Sequence, residues 1–335
     1  MPLTTNETVN RVYNILTWII QVTGIVLLIL GLTVLKPKCP TPEIHPSLVV
    51  AQDGSGNFTT VSAAVAAAPS HSRKYFGIFI KPGVYQEEVS VPMEKTRLVF
   101  IGGGMGVTVI SSNRITPNEW EVSATVVVNG DGFMAIGITF ENSGDPTKGG
   151  YTVAVANQAD KTAFQRCSFK GYNGVLRAGN GFQYYGKSHI YGAEDVIWGR
   201  AAAVFQKCAV YVEKPLQVLQ ASQQQPGALT FQQRSSPYVP GGFVFHGCSV
   251  VAAPGRSDIQ QPGSVSIFLG RPGGAFSTLV FMGWGHQSLG RMVLRSYSPT
   301  DDVVLERVQQ WRTRSGSWEE DHPCRGCSVY RAFPH

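Results

Sequence analysis

A parallel β-helix is the fold this sequence predicts, on three observations. First, FQRCSF (164–169), FQKCAV (205–210) and FHGCSV (245–250) share one pattern, spaced 41 and 40 residues apart. Midway between the first two, YGKSHI (185–190) repeats it with Ser188 in the cysteine's place, so the period is about 20 residues. Second, each unit is a short β-branched or aromatic run closed by a Gly- or Asn-containing turn. Self-similarity at this period marks a solenoid, and units made only of strand make it a β-helix. Third, helical periodicity is scarce. A chain that is 43% hydrophobic and 15% charged, with 37 glycines, fits a β-rich globular protein better than a helical bundle or a disordered chain.

The elements follow in order. Residues 1–14 are a short N-terminal tail. From Ile15 to Leu35, ILTWIIQVTGIVLLILGLTVL carries no charge over 21 residues, enough to span a bilayer. It reads as a transmembrane signal anchor, with a cleaved signal peptide as the alternative. Either address sends the chain into the secretory pathway, membrane-anchored or released outside the cell. Residues 36–46, KPKCPTPEIHP, are a Pro-rich linker, and the folded domain is expected over 47–282. VSAAVAAAP (61–69) is the one good helix candidate, a cap on the N-terminal coil. YFGIFI (75–80), RLVFIGG (97–103), ATVVVNG (124–130) and FMAIGITF (133–140) read as strands. IGGGMG (101–106) reads as a turn between coils, since no GK[ST] follows it. Residues 283–335 form a divergent C-terminal segment, and its ending, RTRSGSWEEDHPCRGCSVYRAFPH, does not read as strands.

Stacked coils would put Cys167, Ser188 and Cys208 in one column, where their role is core packing. Cys324 and Cys327 form a lone CxxC without a second ligand pair, so no zinc site is expected. The net charge of +6 is spread along the chain with no Lys/Arg run, which argues against nucleic-acid binding. Mild basicity suits an acidic polymer such as a uronic-acid polysaccharide. One stretch stands apart. HIYGAEDVIWG (189–199) looks like a buried strand, yet it carries Glu194 and Asp195. Buried carboxylates are costly unless paired or functional. Alternation along a strand would point the two to opposite faces.

Six segments carry a resemblance: LVVAQDGSGNFTTVSAAVAAAP (48–69), IFIKPGVYQEEVSVP (78–92), VNGDGFMAIGITFEN (128–142), FKGYNGVL (169–176), IYGAEDVIWGRAAAVFQKC (190–208) and FLGRPG (268–273). In register from about Leu48 to Phe281, they resemble the plant pectin methylesterases (pectinesterases). The resemblance implies a single-stranded right-handed parallel β-helix, acting as a monomer on homogalacturonan in the cell wall. It implies removal of methyl esters with no metal and no cofactor. One Asp attacks the ester carbonyl, a second Asp protonates methanol and then activates water, and glutamines stabilise the oxyanion. An Arg orients the nucleophile and keeps it ionised.

Carried over residue by residue, DVIWG matches the family's DFIFG-type segment, so Asp195 takes the nucleophile's place. LGRPG matches LGRPW, so Arg271 takes the place of its partner. Trp198 and Tyr172 are expected to line the substrate groove. Other positions depart from the pattern. GYNGVLR stands for GYQDTLY, which puts Asn173 where a glutamine is expected and Gly174 where the acid/base Asp belongs. YTVAV (151–155) stands for QAVAL, so Tyr151 replaces the other glutamine. Gly273 replaces the tryptophan of LGRPW, and Ser188 replaces the cysteine that normally pairs with the residue matching Cys208. A positioned acid/base contributes about 10²–10⁴-fold and one oxyanion donor about 10²–10³-fold. The expectation is therefore a weak pectinesterase, or a pectin-binding relative without turnover.

Overall fold

Short strands with a buried–outward–buried pattern are the unit of the structure. The computed structural model describes residues 45–116, 123–214, 228–255 and 269–283, with the strand segments 285–286, 303–305 and 327–334. One coil shows the plan: Thr162–Gln165, Ser168–Lys170 and Leu176–Ala178 are followed by Phe182–Gly186, His189–Gly192 and Ile197–Gly199. Each strand pairs in parallel with its counterpart one coil on, in registers such as Phe164↔Tyr185, Phe169↔Ile190 and Leu176↔Ile197. Repetition builds three sheets of eleven, eight and seven strands among the described residues. The result is a right-handed parallel β-helix. FMAIGITF forms two strands, Met134–Ile136 and Thr139–Asn142. The chain turns between them at Gly137, whose φ is +66°.

In-register stacking brings like side chains face to face inside the coil. Phe164, Tyr185, Phe205, Phe245 and Phe281 form a continuous ladder. Its successive ring separations are 5.3, 4.7, 4.7 and 4.8 Å, with interplanar angles of 11° or less. Those separations approach the ~4.8 Å between neighbouring strands, so each ring repeats the one beneath it. The Tyr185 hydroxyl is fully buried but not orphaned: it donates to Gln183 Oε1 at 2.8 Å.

The cysteine column forms as expected. Cys167 N donates to Ser188 Oγ at 3.2 Å, and Cys208 N to Cys248 Sγ at 3.4 Å. Cys167, Cys208 and Cys248 are buried free thiols, and burial pushes Cys167 up to about 12. Ser188 Oγ instead donates to the Gly186 carbonyl at 2.9 Å. One inference from spacing is corrected here. Ala202–Gln206 pairs directly with Gly242–His246, so the 40 residues from Cys208 to Cys248 make one coil, not two.

At the N-terminal coil, a short helix has both of its ends satisfied by local chemistry. Val61–Ala67 is helical, with Val61, Ala64 and Val65 buried in the core. Its first amides donate to the Glu87 carboxylate, Val61 N at 2.7 Å and Ser62 N at 2.9 Å. At the other end the Lys95 ammonium donates to the Ala66 and Ala68 carbonyls. Opposite charges thus complement the two poles of the short helix.

The C-terminal end departs from the expectation of no strand. Cys327–Pro334 is a strand, antiparallel to both Thr278–Met282 and Val303–Leu305. The backbone groups along Thr278–Met282 offer an edge for pairing, and CSVYRAFP, rich in apolar and aromatic residues, suits a strand although the residues before it are polar. Among the described residues no helix is long and apolar enough to cross a membrane. The apolar run 15–35, the linker's 36–44 and the cysteine of the CxxC at 324 lie outside the described residues.

The ladder predicts where stability resides. Phe205→Ala, at a side chain with no exposure, should cost about 3–5 kcal/mol in chemical denaturation. Tyr238→Ala, at a residue 83% exposed, should stay within about 0.5 kcal/mol.

Candidate active site

The site is assembled on the seven-stranded sheet and on the turns that lead into it. Along that sheet the middle residue of each strand points outward. Registers align Ala156, Arg177, Trp198, Phe231 and Arg271 in a single row. Arg177 lies over the Trp198 ring, 4.4 Å from its centroid, and Arg271 over the Phe231 ring at 3.6 Å. Neither Arg177 nor Phe231 was legible as a site residue. Alternation within LRA, where Leu176 and Ala178 are buried, was the available signal for Arg177. Phe231 lies beyond a stretch of sequence that breaks the 20-residue period.

Asp195 and Arg271, 76 residues apart in sequence, meet in this row. Arg271 Nε donates to Asp195 Oδ1 at 2.9 Å and Nη2 to Oδ2 at 2.5 Å, a two-point pairing that fixes the carboxylate plane. Side-chain exposure is 34% for Arg271 and 19% for Asp195, so the pair is partly desolvated and still reachable. The guanidinium is held between the carboxylate and the Phe231 face.

The two acids do not stand in a strand. Strands end at Gly192 and resume at Ile197, and Asp195 lies in the intervening turn with φ +45°. Strand alternation therefore does not apply to Glu194 and Asp195, and the expectation that both stand in a strand is corrected. Asp195 N donates to the Ala228 carbonyl at 2.7 Å. Glu194 pairs in a parallel bridge with Asn173, and its carbonyl accepts from Gly174 N at 3.1 Å. The Glu194 carboxyl is raised, first by burial, then by the Asp195 charge, against a lowering by Arg271.

Beneath them, Thr152 organises the Tyr172–Gly174 turn. Its Oγ1 accepts from Tyr172 N at 2.6 Å and from Asn173 N at 2.8 Å. Tyr172 lies at this turn with its hydroxyl donating to the Lys214 carbonyl at 2.7 Å. Trp198 is on the outward row but only 5% exposed. Tyr151 stacks on it, centroids 5.4 Å apart at 13°, and its indole N–H donates to the Gly174 carbonyl at 2.9 Å. A tryptophan read as open groove lining is thus largely covered.

Two departures from the family pattern are linked by packing. Gly174 has φ +67°, and a Cβ added there would stand 2.6 Å from Tyr151 Cδ1. Tyr151 occupies the space an acid at 174 would need. A Cβ at Gly273 would overlap Phe231 Cε2 and Gln233 Cγ. In both places a neighbouring side chain leaves no room for a Cβ. His189 lies on the eight-stranded sheet, half-buried with its ring edge on Tyr211, centroids 5.3 Å apart. Burial lowers its pKa, and its role is packing.

The comparisons with known proteins agree with this geometry. The pectinesterase family model matches residues 47–293. The chain belongs to the pectinesterase family. It is 40% identical to probable pectinesterase 56 of Arabidopsis thaliana over 263 residues, 76% of this chain and 88% of that one. It is 39% identical to probable pectinesterase/pectinesterase inhibitor 39 of the same plant over 250 residues, 73% of this chain but 45% of that one. Among solved structures, the pectin methylesterase from carrot superposes with a TM-score of 0.66 at 34% identity. That match covers 73% of this chain and 78% of the carrot protein.

Two outcomes test the packing and the electrostatics. Gly174→Asp alone should lower stability by about 1–3 kcal/mol through overpacking. Adding Tyr151→Gln should recover part of that loss, a coupling read from the four-member double-mutant cycle. A carboxyl raised on folding adds stability below its unfolded value and loses it as pH rises through its folded value. Glu194→Gln should therefore raise the thermal midpoint near pH 7 and leave it little changed near pH 3.

Proposed function

We propose that this chain hydrolyses methyl esters of homogalacturonan, giving pectate and methanol. The observation that carries the reading is the Asp195–Arg271 pair on the outward row. Asp195 is the nucleophile: one Oδ attacks the ester carbonyl carbon, the carbon–methoxyl bond breaks and an acyl-enzyme forms. Arg271 orients the attacking carboxylate through both oxygens. Asn173, half-buried in the turn beside Asp195, stands nearest to the role of oxyanion donor. Arg177 and Arg271 make the row cationic, which suits a polymer of uronic acids. The residues that match the family act without metal or cofactor. Export to the cell wall through the N-terminal apolar run completes the reading, with 15–35 as anchor or signal.

A second reading has its own observation. Tyr151 fills the space beside Gly174, where the family carries its acid, so the groove would bind pectin without turning it over. Methanol release from highly methylated pectin separates the two. Hydrolysis predicts release by the purified chain and a loss of at least about 10³-fold in Asp195→Asn. Silence of both proteins, with pectin still retained in a sedimentation assay, would leave only binding.

A further inference from the structure

We infer that Glu194 supplies the acid/base function that Gly174 lacks, acting as a second catalytic carboxyl beside Asp195. The inference rests on the ester-hydrolysis reading above and names the residue that completes it.

Three features of the turn point to Glu194. Backbone bonds fix its place: it bridges Asn173, its carbonyl accepts from Gly174 N at 3.1 Å, and its own N donates to the Tyr172 carbonyl at 3.4 Å. Glu194 therefore stands directly above the turn in which the family keeps its acid, and next to the nucleophile on the same turn. Its carboxyl is half-buried, and among the described residues the groups acting on it are the charges of Asp195 and Arg271, with no hydrogen bond. A structural carboxylate in such a place would ordinarily be paired. The neighbouring guanidinium is committed at two points to Asp195, which leaves Glu194 the uncommitted acid of the two.

The charged groups acting on Glu194 are Asp195, of like sign, and Arg271, of opposite sign. The turn beneath adds the phenol of Tyr172, whose hydroxyl is engaged by Lys214; the Ala228 turn above brings a backbone carbonyl to Asp195. Burial and the Asp195 charge both favour the protonated form, as an acid catalyst requires.

The step balances. Asp195 forms the acyl bond while the proton of Glu194 passes to the departing methoxyl oxygen, releasing methanol. The resulting Glu194 carboxylate then takes a proton from water as its oxygen attacks the acyl carbon. The bond to Asp195 breaks, Asp195 leaves as carboxylate, and Glu194 is again protonated. The product acid ionises to solvent.

The test is methanol release across pH by the full chain and by Glu194→Gln, Glu194→Asp, Asp195→Asn and Tyr151→Phe. Glu194→Gln should lower kcat about 10²–10⁴-fold with little change in KM. It should also remove the fall of kcat/KM on the alkaline side that marks an essential acid. Glu194→Asp should keep that fall and recover part of the rate, which a merely structural role would not produce. Wild-type rate and both limbs in Glu194→Gln, with Asp195→Asn silent, would overturn the role of Glu194 and leave Asp195 standing. Loss of the alkaline limb in Tyr151→Phe instead would move the acid to the phenol. No release by any protein, wild type included, would sink the hydrolysis reading and this one together.

Discussion

Everything in this molecule depends on one repeated spacing. Parallel strands hydrogen-bond about 4.8 Å apart, and the coils keep register from Leu98–Gly102 to Thr278–Met282. Once that spacing is set, a flat ring on one coil finds a flat ring above it, as Tyr185, Phe205 and Phe245 do. Small residues stack likewise, as in the column from Cys167 to Cys248. The same spacing governs the outer face. It makes the outward row of the seven-stranded sheet a line of neighbours one rung apart, and so brings Arg271 to Asp195 across 76 residues of sequence.

The two neighbouring acids sit where this regularity lapses. Asp195 lies in a turn with a left-handed φ, held by a backbone bond to Ala228 above, while Glu194 beside it bridges Asn173 below. Neither strand alternation nor the core pattern constrains side chains there, so turns can change residue type without disturbing the coil. The Gly174–Tyr151 and Gly273–Phe231 contacts show what constrains them instead: local volume. The space beside each glycine is filled, in keeping with the cost of voids beside a close-packed wall.

The solenoid was legible because period is a property of sequence. Repeats at Phe164, Tyr185 and Phe205 gave strand positions, the cysteine column and the inward faces, and VSAAVAAAP announced its helix. What the sequence obscured were departures from the period. Forty residues between Cys208 and Cys248 look like two coils until the pairing of Ala202–Gln206 with Gly242–His246 shows one. Phe231 was hidden by the same break in the period. Glu194 was misplaced because a β-branched neighbourhood reads as strand, although the chain turns there. The closing strand Cys327–Pro334 was missed because the polar run before it set the reading of the whole ending, while its partner edge, Thr278–Met282, lies far back in the sequence.

The contact between Tyr151 and Gly174 also bears on how the site can be altered. A side chain added at 174 meets the ring, and a tyrosine removed at 151 opens a gap beside Trp198. The two positions therefore behave as one lock with two keys: neither can be turned alone, and an engineer who wants an acid in that turn must change both.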